Sequence, residues 1–199
     1  MFGLPASTEH KQQLPKKAIY AKFDLKTSQR DSFDADIARI DIVAVVSSLT
    51  VPALSNGENV KEFYVLAVQL KQKTYDTKNI LLLTKLIPQK MIFALQFEGQ
   101  TQFAVYHSKL ITSRWQATEN ALLHISGLNI ETVWENLIKD IGQIDIVNGN
   151  TLTEQIEADD LHAKLLAHIS TLEKKMAKEK QPRRKREYFE QIKKLKENI

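Results

Sequence analysis

The chain has 199 residues, of which 43% are hydrophobic and 26% charged, and it has no cysteine. This composition is typical of a folded domain that buries a core without covalent staples. The lack of cysteine excludes a disulfide framework, a thiolate metal site and a cysteine nucleophile. The apolar runs are far shorter than a bilayer span, and no signal-peptide pattern opens the sequence. We therefore expect a cytoplasmic protein with no membrane contact.

The net charge of +4 is distributed unevenly along the chain. Residues 171–199 contain eleven Lys or Arg and five Glu, a net charge of +6, which leaves the other 170 residues near −2. Such asymmetry between segments indicates where a charged partner binds better than the total charge does. The basic character therefore belongs to the C-terminal segment.

The first half of the chain predicts a hairpin of strands preceded by a helix. Residues 1–18 contain two prolines and predict an irregular arm. Apolar residues at helical spacing predict a short helix over residues 28–39. The β-branched runs at 40–50 and 61–71 predict two antiparallel strands.

The middle of the chain continues this pattern. Residues 76–87 predict a helix that ends before a proline, and residues 91–97 and 102–107 predict two strands joined by a tight, glycine-containing turn. Residues 130–141 predict an amphipathic helix. Together these elements predict an α+β fold in which helices flank a small mixed or antiparallel sheet.

The last fifty residues predict a helical hairpin. A narrow apolar stripe runs through two helical segments that Pro182 separates. Its members are Leu161, Leu165, Ile169, Leu172, Met176, Tyr188, Ile192, Leu195 and Ile199. We therefore expect an α+β domain over residues 1–150 and a short antiparallel coiled coil over residues 151–199.

A cluster of cations lies where this hairpin turns, with eight in thirteen residues. They are Lys174, Lys175, Lys178, Lys180, Arg183, Arg184, Lys185 and Arg186. Clustered Lys and Arg bind phosphate backbones by releasing counterions, so the cluster predicts contact with nucleic acid or with a partner protein. The alternative is a solvated coiled-coil face whose interspersed glutamates pair with the cations.

A second candidate site lies on the two predicted strands of the first half. Gln69 and Lys71 lie two residues apart on one strand face, with Asp41 on the preceding strand. This arrangement resembles a PD-(D/E)xK nuclease, in which acidic residues bind Mg²⁺ and a lysine orients the attacking water. The resemblance is partial, because Gln69 replaces the usual glutamate and no second acid lies nearby. An ordinary polar strand end is the alternative.

Other patterns of catalytic or cofactor sites are missing from the sequence. The histidines do not have the spacing of metal ligands, and the six glycines form neither a phosphate loop nor a nucleophile elbow. We therefore predict no cofactor and no metal site, and we favour a protein that is not an enzyme.

Short motifs spread along the chain carry a family resemblance. They are Phe-Gly-Leu-Pro at residues 2–5, Leu-Ile-Pro at 86–88, Gly-Leu-Asn at 127–129, Val-Trp-Glu-Asn at 133–136, Leu-Glu-Lys-Lys at 172–175 and Glu-Lys-Gln-Pro at 179–182. In these motifs the chain resembles a bacterial family, known only as a domain of unknown function, whose genes lie beside helicases and DNA methyltransferases of restriction-like systems.

The resemblance implies a setting for the protein without supplying catalytic residues. It implies a protein partner of the helicase or methyltransferase type, with nucleic acid as the other predicted partner. Three hypotheses follow: an accessory subunit of a DNA-processing or defence assembly, a divergent nuclease at Asp41, Gln69 and Lys71, or a module for docking or self-association. The sequence favours the first and leaves the oligomeric state open.

Overall fold

A computed structural model describes residues 1–147 and 149–197. The chain divides into two compact units, Met1–Asp145 and Ile146–Ile199. The first unit contains a mixed sheet with helices, and the second consists of two adjacent helices. The predicted α+β class and the C-terminal pair of helices are therefore confirmed. None of the described helices has the length and apolar character that a membrane span needs.

The sheet of the first unit has the order β1-β2-β3-β4-β5-β6, and the short β7 pairs with β5. Neighbouring strands are antiparallel except β3 and β4, which are parallel. The strands are β1 Glu9–Gln13, β2 Ile37–Ser47, β3 Glu62–Leu70, β4 Lys90–Phe97, β5 Gln100–Tyr106, β6 Leu110–Thr112 and β7 Gln116–Ala117.

The helices of the first unit are α1 Lys16–Phe23, α2 Thr27–Asp36, α3 Thr77–Leu83 and α4 Ile130–Gly142. Short 3-10 turns lie at Ala6–Thr8 and Thr118–Asn120. Helix α3 connects β3 to β4, which is how two parallel neighbours are usually joined. The predicted helix over 76–87 ends earlier than expected, at Leu83.

The central strands bury apolar side chains on both faces of the sheet, because successive side chains of a strand point to opposite faces. One face packs against α1, α2 and α3 through Ile19, Phe33 and Ile80. On the other face, the ring of Phe63 lies 5.4 Å from that of Trp134 on α4. The sheet therefore forms the centre of a layered core.

The prediction of an irregular arm over residues 1–18 is wrong. This segment contains β1 and the start of α1, and Ile19 of α1 is fully buried. Strand β1 was missed because its five residues are polar and exposed on both faces, so no alternation of apolar residues marks it. By contrast, the predicted antiparallel pair appears as β2 and β3, and the predicted hairpin appears as β4 and β5.

The second unit contains α5, Leu152–Lys178, and α6, Pro182–Lys196. The two helices pack through Ile169, Leu172 and Ile192, with Met176, Tyr188 and Leu195 half-buried beside them. The predicted stripe does not extend to Leu161, which is 60% exposed. Ile199, the last residue predicted for the stripe, lies outside the described residues.

Candidate nucleic-acid interface

The turn between α5 and α6 is held by a glutamate from within the cationic segment. The Glu179 carboxylate accepts hydrogen bonds from the backbone N–H groups of Gln181, at 3.0 Å, and Lys180, at 2.9 Å. These bonds, that from Gln181 foremost, lower the pKa of Glu179. Pro182 then occupies the first position of α6, where its missing N–H costs nothing. Glu179 therefore stabilises the turn.

The eight cations around this turn are all exposed. We call this set the basic tip, and it consists of Lys174, Lys175, Lys178, Lys180, Arg183, Arg184, Lys185 and Arg186. Within the described residues, only Arg183 has a carboxylate within 4 Å, that of Glu187 at 3.5 Å on the same helix. The Arg183 side chain is still 94% exposed. The basic tip is therefore solvated and almost unpaired.

Two of the three glutamates interspersed in this segment, Glu173 and Glu179, make other hydrogen bonds. Glu173, which precedes Lys174, accepts a hydrogen bond from Lys196 Nζ at 3.1 Å. Glu179 binds the backbone of the turn. The solvated-face alternative expected these carboxylates to neutralise the cluster. Among the described residues, Glu187 pairs with Arg183, and the charge of Arg184 acts on Glu179.

The cations also lie at two helix ends with opposite electrostatics. The last turn of α5 contains Lys175 and Lys178, where the helix dipole favours positive charge. The first turn of α6 contains Arg183 and Arg184 and no acidic residue, although the dipole there favours negative charge. The start of α6 therefore concentrates positive potential that a bound anion would relieve.

The second candidate site lies on the sheet face opposite the α1–α3 core. Asp41 on β2 is paired in register with Ala67 on β3, and Arg39 is paired with Gln69. A groove of about 530 Å³ opens there, and its lining includes Asp41 and Ala67 but neither Gln69 nor Lys71. Gln69 donates instead to the backbone oxygen of Gln96, at 3.4 Å.

Arg39 also lines this groove, and the sequence-based prediction did not include it. Its Nε lies 2.7 Å and its Nη2 2.8 Å from oxygens of the Asp41 carboxylate, so the pair is bidentate. The Asp41 carboxylate raises the pKa of Arg39. The signal was available, because residues two apart on a strand share a face. The Asp41 carboxylate is therefore engaged by a guanidinium.

Lys71 lies just beyond the end of β3. Its backbone N–H donates to the carbonyl oxygen of Asp36 at 2.8 Å, and its side chain is exposed. The pKa of Asp34 on α2 is lowered mainly by a hydrogen bond from Lys16, with a smaller contribution from the charge of Lys71. Across the described ranges, no three His, Asp or Glu side chains are grouped so as to hold a metal ion.

The chain is similar to a known protein family over almost its whole length. The family model described as a domain of unknown function (DUF4391) matches residues 2–199. No curated protein and no solved structure shows significant similarity to the chain.

Proposed function

We propose that this chain, which belongs to the DUF4391 family, is a non-catalytic subunit of a bacterial DNA-processing or defence assembly and that its basic tip binds DNA. The observation that carries the proposal is the exposed and nearly unpaired state of the eight cations. Cations that are not neutralised within the protein are available to neutralise DNA phosphates, and each neutralised phosphate releases counterions that were condensed on the DNA.

The physical cost of the arrangement supports the proposal. Four consecutive cations, Arg183 to Arg186, repel one another and oppose the dipole of α6. A helix whose only role was to cover α5 would be more stable with acidic residues in that turn. Binding of a phosphate backbone removes both penalties, so the free protein is arranged for a polyanion.

The proposed partners come from the resemblance in the sequence. A helicase or methyltransferase type of protein is the proposed partner of the assembly, and the cytoplasm is its proposed location. The first unit is then the part that docks, because its net charge is near neutral and its sheet has a groove lined by both charged and apolar residues. The basic tip adds affinity for the DNA on which the assembly acts.

The salt dependence of DNA binding tests the proposal. The variant R183Q/R184Q/K185Q/R186Q removes four charges from the basic tip, and K17Q/K61Q/K78Q/K85Q removes four from exposed positions of the first unit. We expect wild-type affinity for a short duplex to fall steeply with salt. Each lost phosphate contact should reduce the log–log slope by about 0.9. The tip variant should therefore have a shallower slope, and the control variant should not.

Equal slopes for wild type and the tip variant would contradict a role for these four residues. No salt-dependent binding by wild type would favour the docking or self-association alternative. The nuclease alternative predicts Mg²⁺-dependent cleavage that D41N abolishes. The bidentate pairing of Asp41 with Arg39 gives that alternative less support than the basic tip has.

A further inference from the structure

The cations of the basic tip lie on opposite sides of the hairpin. Successive residues of an α-helix are separated by about 100° around its axis, because one turn takes 3.6 residues. On α5, Ile169, Leu172 and Met176 face α6. By this periodicity Lys174 and Lys178 lie roughly 150–170° from that packed face. They therefore face away from α6.

The same reasoning applies to α6. Its packed face contains Tyr188, Ile192 and Leu195. Arg183 and Arg186 lie roughly 145–155° from that face, so they face away from α5. All four residues are exposed. The hairpin therefore presents one pair of cations outward from each helix, in opposite directions.

The width of the hairpin separates the two pairs. Packed helices have axes about 8–10 Å apart, and each helix with its side chains is about 10–12 Å wide, so the hairpin is about 20 Å across. The major groove of B-form DNA is about 12 Å wide. One groove is too narrow to hold both outward faces, and one flat phosphate surface can touch only one of them.

We propose that the basic tip binds two separate duplex segments at once, one through Lys174 and Lys178 and the other through Arg183 and Arg186. This inference rests on the proposed function and adds that the protein bridges DNA. Lys180, Arg184 and Lys185 lie between the two faces, at the turn or flanking the contact between the helices, where they add positive potential to either side.

A capture experiment with the full chain tests the bridge. One short duplex is immobilised, the protein is added at low salt, and a second, fluorescent duplex is offered. Wild type should retain the fluorescent duplex. The variants K174Q/K178Q and R183Q/R186Q each leave one face intact, so each should still bind an immobilised duplex and should lose most of the capture.

Two results would overturn the bridge. Wild type that binds a single duplex but captures no second one contradicts it while the proposed function stands. Capture that persists in both one-sided variants shows bridging by association of two chains, since each chain then needs only one face. Failure of wild type to bind any duplex is a different result, and it refutes the proposed function itself.

Discussion

Lys196 on α6 donates a hydrogen bond from Nζ to Oε1 of Glu173 on α5, at 3.1 Å. The two side chains are 58% and 47% exposed, so solvent screens the pair. Exposed ion pairs contribute between zero and about 1 kcal/mol to stability. The pair therefore contributes little to the stability of the fold. Its main effect is on the charge of the basic tip, because Lys196 engages the carboxylate next to Lys174.

The variants E173Q and K196Q separate these two roles. Each breaks the pair, so we expect each to lower the free energy of unfolding by less than about 1 kcal/mol. Their effects on DNA should have opposite signs. E173Q removes a negative charge beside the basic tip and should tighten duplex binding, whereas K196Q removes a cation and should weaken it. Fluorescence anisotropy measures both, and a change of equal sign and size would contradict the assignment.

Two leucines of α5 allow a matched comparison of leucine-to-alanine substitutions, one inside the packed contact between the helices and one outside it. Leu172 is buried between the helices, whereas Leu161 is 60% exposed although both belong to the apolar stripe of the sequence. We expect Leu172→Ala to cost about 2–4 kcal/mol, because it leaves a cavity. Leu161→Ala should cost less than about 1 kcal/mol. Denaturant unfolding followed by helical circular dichroism compares them, and equal costs would show that the stripe is packed along its whole length.

We expect two substitutions in the turn between β4 and β5 to have opposite effects on protein stability. Glu98 and Gly99 both have positive φ, 44° and 74°, as a two-residue hairpin turn requires. Glu98→Asn should stabilise the protein by roughly 0.5–1 kcal/mol, because asparagine tolerates the left-handed region better. Gly99→Ala should cost about 1 kcal/mol, although no atom lies within 4 Å of the added Cβ. Thermal denaturation decides both, and a stabilising Gly99→Ala would contradict this backbone geometry.

The Glu131 carboxylate makes the stability of the loop at Glu58 and Asn59 depend on pH. Its carboxylate accepts hydrogen bonds from the side-chain amide and backbone N–H of Asn59 and from the backbone N–H of Glu58, and these bonds, the Asn59 side chain first, lower its pKa. The ionised carboxylate therefore stabilises the loop conformation in which these hydrogen bonds form. This stabilisation of the loop is complete at a pH above the ordinary glutamate pKa of 4.5. It is lost as the pH falls through the lower pKa that Glu131 has in the folded protein.

Amide exchange at Glu58 and Asn59 measures this loop. Intrinsic amide exchange slows in acid, so the informative quantity is the protection factor, the ratio of the intrinsic rate to the measured rate. In wild type this protection should fall as the pH drops through the folded pKa of Glu131. In Glu131→Gln the protection should be low already at neutral pH and should not change with pH. Loop protection that is insensitive to acid in wild type would remove Glu131 from this role.

The sequence predicts the elements that have strong periodicity or turn chemistry. Helix α4 and the β4–β5 hairpin are of this kind, since an apolar face and a glycine turn mark them. Strand β1 has neither signal, because pairing with β2 alone defines it. Local propensity carries no information about such a tertiary pairing.

The candidate site divides in the same way. Helical periodicity and composition already indicate that the cations around Pro182 are solvated. That most of them lack a carboxylate partner depends on which groups the glutamates contact, and Glu173 pairs with a residue twenty-three positions away. Strand periodicity could have predicted the Asp41–Arg39 pair, whereas its groove depends on the antiparallel pairing of β1 with β2.

Lysine footprinting tests directly whether the basic tip binds DNA. Acetylation of the full chain, mapped by mass spectrometry with and without duplex DNA at low salt, reports on each lysine separately. We predict strong protection at Lys174, Lys178 and Lys185, with Lys61 and Lys85 of the first unit unchanged. Equal labelling of the tip lysines in both samples, or protection confined to the first unit, would contradict it.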